Sequence, residues 1–403
     1  MRVNVIGLGY IGLPTALSLS AGGLEVIGTD KNASLVEKLS RGEVSFEEKG
    51  LPELFRRAAE GNLRFSCVPE AADVYIIAVP TPYDVHTKKI DAVYVKNAVE
   101  EAIAAAPDGA VLAVESTISP GTIDRVVRPL VSASGKDICI AHVPERIIPG
   151  NMIYELENNN RTIGVDNQRA GEILCRTYSA FCKGTLTVTS IKVAEMTKVV
   201  ENTSRDIQIA FANELSRICH REGIDVYEVI RVANMHPRVQ ILGPGPGVGG
   251  HCISVDPWFL VGDYPDIVDI IASARRVNDG QPRYILSRIR EIMEEHGIQS
   301  LDEVGFYGLT YKENVDDTRE SPLLQMLEIM KENLAFGAKV YDPYARLDLV
   351  ENQYRDFDAF LDEVKLVVVM VGHDHLRANA DKLSGKLVYD TKNCLRSNNI
   401  IKL

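Results

Sequence analysis

The chain has 403 residues, 45% hydrophobic and 25% charged, a balance that excludes disordered and fibrous classes. A formal net charge of -12 argues against nucleic-acid binding as the main role, because neutralising phosphates requires clustered Lys and Arg. The length exceeds what one hydrophobic core organises, so two or three domains are expected.

In chain order, "VNVIGLG" opens as a short apolar strand broken by glycine, and "PTALSLSAGG" reads as a helix closed by glycine. "LEVIGTD" is a second strand. "ADVYIIAVP", "AVLAVEST" and "DICIAHVPER" continue the series with a helix over 92–106 between the first two, the rhythm of a parallel sheet flanked by helices. The stretch 151–189 is less regular. From about 190 one long helical segment without internal Gly or Pro runs to Gly223, and "PRYILSRIREIMEEHG" is a second helix. Strands then return at "EVGFYGLTY", "AKVYDP", "KLVVVMVG" and "KLVYDTKN", with the helix "SPLLQMLEIMKENL" among them. The pattern predicts an α/β protein with two Rossmann-like doubly wound domains, 1–189 and 297–403, joined by a central helical region, 190–296, built on one long helix.

Neither a leader-like N-terminus nor an 18-residue apolar run is present, so a cytoplasmic protein with no membrane partner is expected. Seven cysteines without CxxC spacing predict reduced thiols, mostly core fillers, and no zinc. His373 and His375 form an HxH pair that reads as a surface or loop feature, not a metal site.

Gly7, Gly9 and Gly12 make GxGxxG between a strand and a helix, where glycines allow a tight turn and close passage of a pyrophosphate. Tyr10 and Ile11 lie between these glycines and share the expected cofactor contact. Asp30 ends the second strand, where an acid accepts from a ribose 2′-OH and disfavours a 2′-phosphate, so NAD is expected over NADP. Alone, Asp30 would read as a turn or cap. Thr81 in "VPTP" and Thr117 in "ESTISPGT" follow strands at the ligand-binding edge, although either would also serve as a helix cap.

On the long helix Lys198, Asn202 and Arg205 stand at i, i+4 and i+7, on one face. A solvated stripe would explain them equally well. A lysine beside an amide, however, can hold a developing oxyanion. "GPGPGVGGHC", residues 243–252, sets five glycines and two prolines before a thiol and reads as a shaped loop. Thiolate is the attacking form of Cys252, and a neighbouring ammonium or imidazolium, from Lys198 or His251, would increase it. Asp256, four residues on, would position water, move protons or simply cap. An NAD domain with an activated thiol points to aldehyde-level oxidation, in which sulfur makes the carbonyl tetrahedral and a thioester remains for water to cleave.

With "GLGYIGLP", "PERIIPG", "AEMTKVVENTSRD", "HPRVQILGPGPGVGGHC", "GLTYKENVDDTRESP" and "DTKN", the chain resembles the UDP-glucose/GDP-mannose dehydrogenase family over essentially its whole length. The resemblance implies oxidation of a sugar CH2OH to a carboxylate with two NAD. Cys252 would be the nucleophile, Lys198 the proton donor and acceptor and, with Asn202, the oxyanion partner. Glu145 and Asp256 would assist proton transfer and water attack. Arg146, Ile147, Arg205, His236, Tyr311 and Lys312 would bind the UDP-sugar, with the backbone near Gly249 close against it. Arg238 would reach across a homodimer built on the long helix, and Arg319 would meet the NAD pyrophosphate. The "PER" motif and His251 before the thiol are most similar to the branch acting on UDP-N-acetyl-D-mannosamine. UDP-N-acetylglucosamine or UDP-glucose are the alternatives, and a non-catalytic nucleotide-sugar sensor is the reading from another class. Glu313 departs from the family's usual small residue.

Overall fold

A computed structural model describes residues 1–84, 86–333, 335–396 and 400–403. The chain divides into two compact units, Met1–Glu201 and Asn202–Leu403, the second containing most of the central helical segment together with the C-terminal sheet.

The first unit is built on eight strands: β1 (Arg2–Ile6), β2 (Glu25–Thr29), β3 (Asn62–Ser66), β4 (Val74–Ile77), β5 (Val111–Val114), β6 (Cys139–His142), β7 (Arg161–Val165) and β8 (Leu186–Thr189). Their order is β3-β2-β1-β4-β5-β6-β7-β8, parallel except where β7 runs against β6. Strands β4 and β5 are buried along their whole length, as helices on both faces of a parallel sheet require. Alternate side chains feed two cores: Val3, Val5, Ile76 and Ala113 on one face, Ile6, Tyr75, Ile77 and Val114 on the other. The strand order reverses between β1 and β4, and it is at such a switch point, beyond the carboxyl ends of the strands, that doubly wound sheets bind ligands.

The second unit carries β9 (Val304–Tyr307), β10 (Lys339–Tyr341), β11 (Gln353–Tyr354), β12 (Leu366–Val369), β13 (Leu387–Asp390) and β14 (Ile400–Lys402). These form an all-parallel sheet in the order β11-β10-β9-β12-β13-β14, with its own switch point at β9 and β12. The long helix is Ile191–Glu222, 32 residues, ended by Gly223 at φ 69°.

Two expectations need correction. The stretch 151–189 is regular: helix Met152–Asn158, β7, helix Gln168–Tyr178 and β8. Its strands were hard to read because β7 opens on a buried arginine and β8 is a half-exposed edge. The HxH pair begins in a loop, as one of its two readings had it, but its first member is not at the surface. His373 is fully buried at the exit of β12, its Nδ1 accepting from the Asn314 N–H at 2.9 Å and its Nε2 3.3 Å from Asp342 Oδ2. His375 is half-buried, within 3.1 Å of the Tyr307 hydroxyl. Of the cysteines, Cys182 and Cys219 are buried, whereas Cys67 and Cys252 are exposed. Among the described residues no helix is long and apolar enough to cross a membrane.

Candidate active site

The chain leaves β1 through Gly7 at φ 93°, where a Cβ would lie 2.5 Å from the Ala78 carbonyl oxygen, and a Cβ on Gly12 would lie 1.8 Å from the Gly7 oxygen. Packing alone therefore demands both glycines. Gly9 differs: it is exposed, and a Cβ there would meet nothing within 4 Å. Its bare backbone faces outward at the start of the helix Gly12–Ala21, a cradle that fits a dinucleotide pyrophosphate.

Asp30 follows β2 and braces this turn. Its Oδ2 accepts from the Leu8 N–H and its Oδ1 from the Asn32 N–H, each at 2.9 Å. A carboxylate has about four acceptor positions, so the brace leaves capacity for ribose hydroxyls. Thr81 is buried past the exit of β4, and Thr117 is half-buried past β5. Tyr10 and Ile11 instead lean on a small apolar cluster of Ile147, Met152 and Leu156, with the Tyr10 and Phe46 ring centroids 4.4 Å apart. The Ile147 side chain is thus a core element.

Glu145 belongs to a buried charge network that the sequence did not reveal. Arg161, from β7, donates to Glu145 Oε2 and, at 2.9 Å, to Glu115 Oε1. Glu145 also accepts from the Arg146 N–H at 2.6 Å. Glu115 further receives Thr15 Oγ1 at 3.1 Å and the Tyr178 hydroxyl at 3.3 Å, while the guanidinium lies 4.5 Å from the Tyr178 ring centroid. Burial pushes the Glu115 carboxyl up to about 7, against the opposing pull of Arg161. The only local hint was an acid placed directly after an apolar strand, "AVLAVE". The Arg146 guanidinium is engaged by Glu201 at 2.7 Å, Thr162 and the Asn160 carbonyl.

Lys198 is buried at 6% exposure on the long helix. One turn earlier Glu195, at 1% exposure, accepts from the N–H groups of Gly121 and Ile123.

In the second unit, Asn202 Nδ2 donates to Asp256 Oδ2 at 2.6 Å. Asp256 opens the helix Asp256–Asp263, and its N–H donates to the Cys252 carbonyl at 2.8 Å. Cys252, itself exposed, thus lies four residues before the first residue of that helix and is tied to it through its own carbonyl. His251 is exposed, yet desolvation by surrounding protein and then the Arg319 charge hold its imidazole below the ordinary value. An imidazolium is therefore disfavoured as the activator of Cys252.

The loop's glycines have a packing explanation. A Cβ on Gly249 would fall 2.6 Å from the Glu320 carbonyl oxygen and 2.7 Å from Tyr311 Cβ, and one on Gly250, at φ 86°, 2.7 Å from the Tyr311 ring. The Gly250 N–H donates to the Arg319 carbonyl at 3.0 Å. The thiol loop is thereby seated on the segment 311–322, and substrate approach is not needed to account for these glycines. Tyr311 and Lys312 are half-buried at the exit of β9, where Asp342 accepts from the Leu309 and Thr310 N–H groups. Glu313 pairs with Arg377 at 3.2 Å, and Arg319 with Asp317 through two nitrogens. Arg205, His236 and Arg238 are exposed, the last two joined by the Arg238 N–H to His236 Nδ1 contact of 3.3 Å.

Family models match in three consecutive blocks described as the UDP-glucose/GDP-mannose dehydrogenase family's NAD binding domain (1–182), central domain (192–280) and UDP binding domain (305–397). A UDP-N-acetyl-D-mannosamine dehydrogenase of Methanococcus maripaludis is 41% identical, over 98% of this chain and 94% of that protein. An NDP-N-acetyl-D-galactosaminuronic acid dehydrogenase of Ralstonia nicotianae is 38% identical, over 97% and 95%. The solved UDP-D-ManNAc dehydrogenase of Pyrococcus horikoshii superposes with a TM-score of 0.92 at 32% identity, covering 100% of this chain and 99% of that one.

Proposed function

Because this chain belongs to the UDP-glucose/GDP-mannose dehydrogenase family and uses NAD, we propose that it oxidises UDP-N-acetyl-D-mannosamine to the uronate in two two-electron steps. Its nucleotide-sugar dehydrogenase chemistry then reduces to what its own side chains do. When bound, NAD supplies the hydride acceptor. Cys252 attacks the sugar aldehyde to give a thiohemiacetal, oxidation of which leaves a thioester for water. Lys198 exchanges the proton of the reacting oxygen and, with Asn202, holds its negative charge. Asp256 and Glu145 assist water attack. Arg146, Arg205, His236, Tyr311, Lys312 and the backbone at Ile147 and Gly249 bind the UDP-sugar. Tyr10, Ile11, Thr81, Thr117 and Arg319 bind the cofactor with Gly7, Gly9, Gly12 and Asp30.

The observation that carries the covalent reading is Cys252: an exposed cysteine whose carbonyl accepts from the N–H of Asp256, the first residue of a helix and itself held by Asn202. A homodimer completes the reading, with Arg238 crossing to the partner. Its support is apolar surface: Phe211 and Ile218, seven residues apart on one helix face, are 56% and 54% exposed, and Met235 beside His236 is 73% exposed.

The test is stoichiometry. The native chain releases two NADH per UDP-N-acetyl-D-mannosamine, and Cys252→Ala one or none. Two NADH from that variant would end the covalent mechanism. The similarity to the Ralstonia protein makes another acetamido sugar the second reading, separated by kcat/KM across a UDP-sugar panel.

A further inference from the structure

We infer that Glu195 is a positioning residue for the cofactor: from the long helix it pins the end of the loop 115–122 and so fixes Thr117. Glu195 Oε2 accepts from the Gly121 N–H at 2.8 Å, and Oε1 from the Ile123 N–H at 2.9 Å. The Ile123 N–H is the first of the helical stretch that runs from Ile123 to Ser134, where backbone N–H groups have no partner within the helix, and Gly121 lies two residues before it.

Thr122 occupies the capping position without a side-chain cap bond, and its hydroxyl instead donates to the Ser119 carbonyl at 2.6 Å. Gly121, half-buried, takes φ 83°, a turn that only glycine makes cheaply, and its N–H gains its partner in the carboxylate. Glu195 therefore caps this turn from another element, 72 residues away along the chain from Ile123.

The other end of the same loop is already fixed. Glu115 is tied to Arg161 and to Thr15 of the helix that follows GxGxxG, and Ser116 Oγ donates to the Val79 carbonyl at 2.7 Å. Thr117 lies between these anchors and the Glu195 clamp. Lys198 is three residues on from Glu195, so one turn of helix carries both the cofactor-loop clamp and the proposed proton-transfer lysine.

Burial raises the Glu195 carboxyl from its ordinary value, with Asp124 adding to the rise and the two N–H bonds and Arg125 opposing it. Holding a carboxylate in so buried a place is costly unless its hydrogen bonds are needed.

This inference rests on the reading that Thr117 contacts NAD. The experiment is calorimetric titration of NAD and, separately, of UDP into the native chain, Glu195→Gln, Glu195→Asp and Thr117→Ala, with thermal midpoints as a check of folding. The carboxamide of Glu195→Gln presents an NH2 to one of the two backbone donors, so its NAD dissociation constant should rise about tenfold. UDP affinity should stay within about twofold, because UDP makes no use of this loop. Glu195→Asp, too short to reach both donors, should fall between the native chain and Glu195→Gln, and it serves if Glu195→Gln does not fold. Native-like NAD affinity in the Glu195 variants overturns the inference, and it does so alone if Thr117→Ala is weakened. Native-like NAD affinity in Thr117→Ala together with weakened Glu195 variants removes the Thr117 reading and leaves the clamp. Equal loss of NAD and UDP binding in the Glu195 variants would make the residue a general structural one and also overturns the inference.

Discussion

The side-chain amide of Asn202 donates to Asp256 Oδ2 at 2.6 Å, coupling the long helix to the helix that begins beside Cys252. Asp256 is 2% exposed, so its carboxylate is held by protein and not by bulk water. If it assists thioester hydrolysis, Asp256→Asn should keep a rapid first release of NADH and slow steady turnover by about 100-fold or more. Stopped-flow absorbance separates the two phases. A variant whose steady rate equals the native one shows that Asp256 takes no part.

Asp30 braces the glycine turn through Leu8 and Asn32, and its remaining acceptor capacity is proposed for the ribose. Asp30→Ala should therefore raise KM for NAD and also lower the preference for NAD over NADP by about tenfold or more. Paired kcat/KM values with the two cofactors test this. An unchanged ratio with a raised KM would reduce Asp30 to its bracing role.

Arg161 is in contact with both Glu115 and Glu145. Replacing it with Met leaves two buried carboxylates without their common partner, which should cost about 3–5 kcal/mol of stability. Arg161→Lys keeps the charge but not the fork that serves both acids, and should lose less. Urea midpoints of the two variants check the order. A Met variant as stable as the native chain would mean that the carboxylates relax or take up protons at little cost.

Two buried groups near β5 and β6 should act on stability with opposite signs. His142 is fully buried, its Nδ1 bonded to the Val114 carbonyl at 2.8 Å, and burial pushes it down to about 4. Unfolded, it takes a proton below about 6.5, so stability falls as pH drops from about 6.5 to 4, by about 3 kcal/mol. Glu115, pushed up to about 7, works the other way: its protonated form is favoured in the fold. That contribution is complete below about 4.3 and is lost as pH rises toward 7. Chemical unfolding of His142→Gln across pH 4–7 should leave mainly the Glu115 slope, and Glu115→Gln mainly the His142 slope. Matching slopes in both variants would contradict the assignment.

Dimerisation through the long helix is open to a complementation test. Phe211→Asp should convert the assembly to monomers by light scattering, since a charge replaces a large apolar contact. Arg238→Ala and Cys252→Ala should each be inactive, yet mixed after reversible dissociation they should recover about a quarter of native sites, as random pairing of two-fold dimers requires. No recovery from a mixture shown to contain heterodimers would place Arg238 in its own subunit's chemistry.

The chain's residues determined by themselves whatever obeys local rules. A short apolar run, a glycine turn and a following helix are set by neighbours within a few positions, so β1, the GxGxxG turn, Asp30 and the stop at Gly223 were legible. So was the thiol loop, whose composition is unusual at any position. Tertiary structure alone decided the rest. Nothing near Glu145 announces Arg161, sixteen residues on in an antiparallel strand, and nothing near Glu195 announces Gly121. That Tyr311 and Glu320 pack against Gly249 and Gly250, and that Asp342 and Asn314 enclose His373, was likewise decided by residues from other segments. The reason is physical: whether a polar group is solvated or buried depends on partners brought from distant strands, and a stretch of sequence carries its own side chains but not theirs.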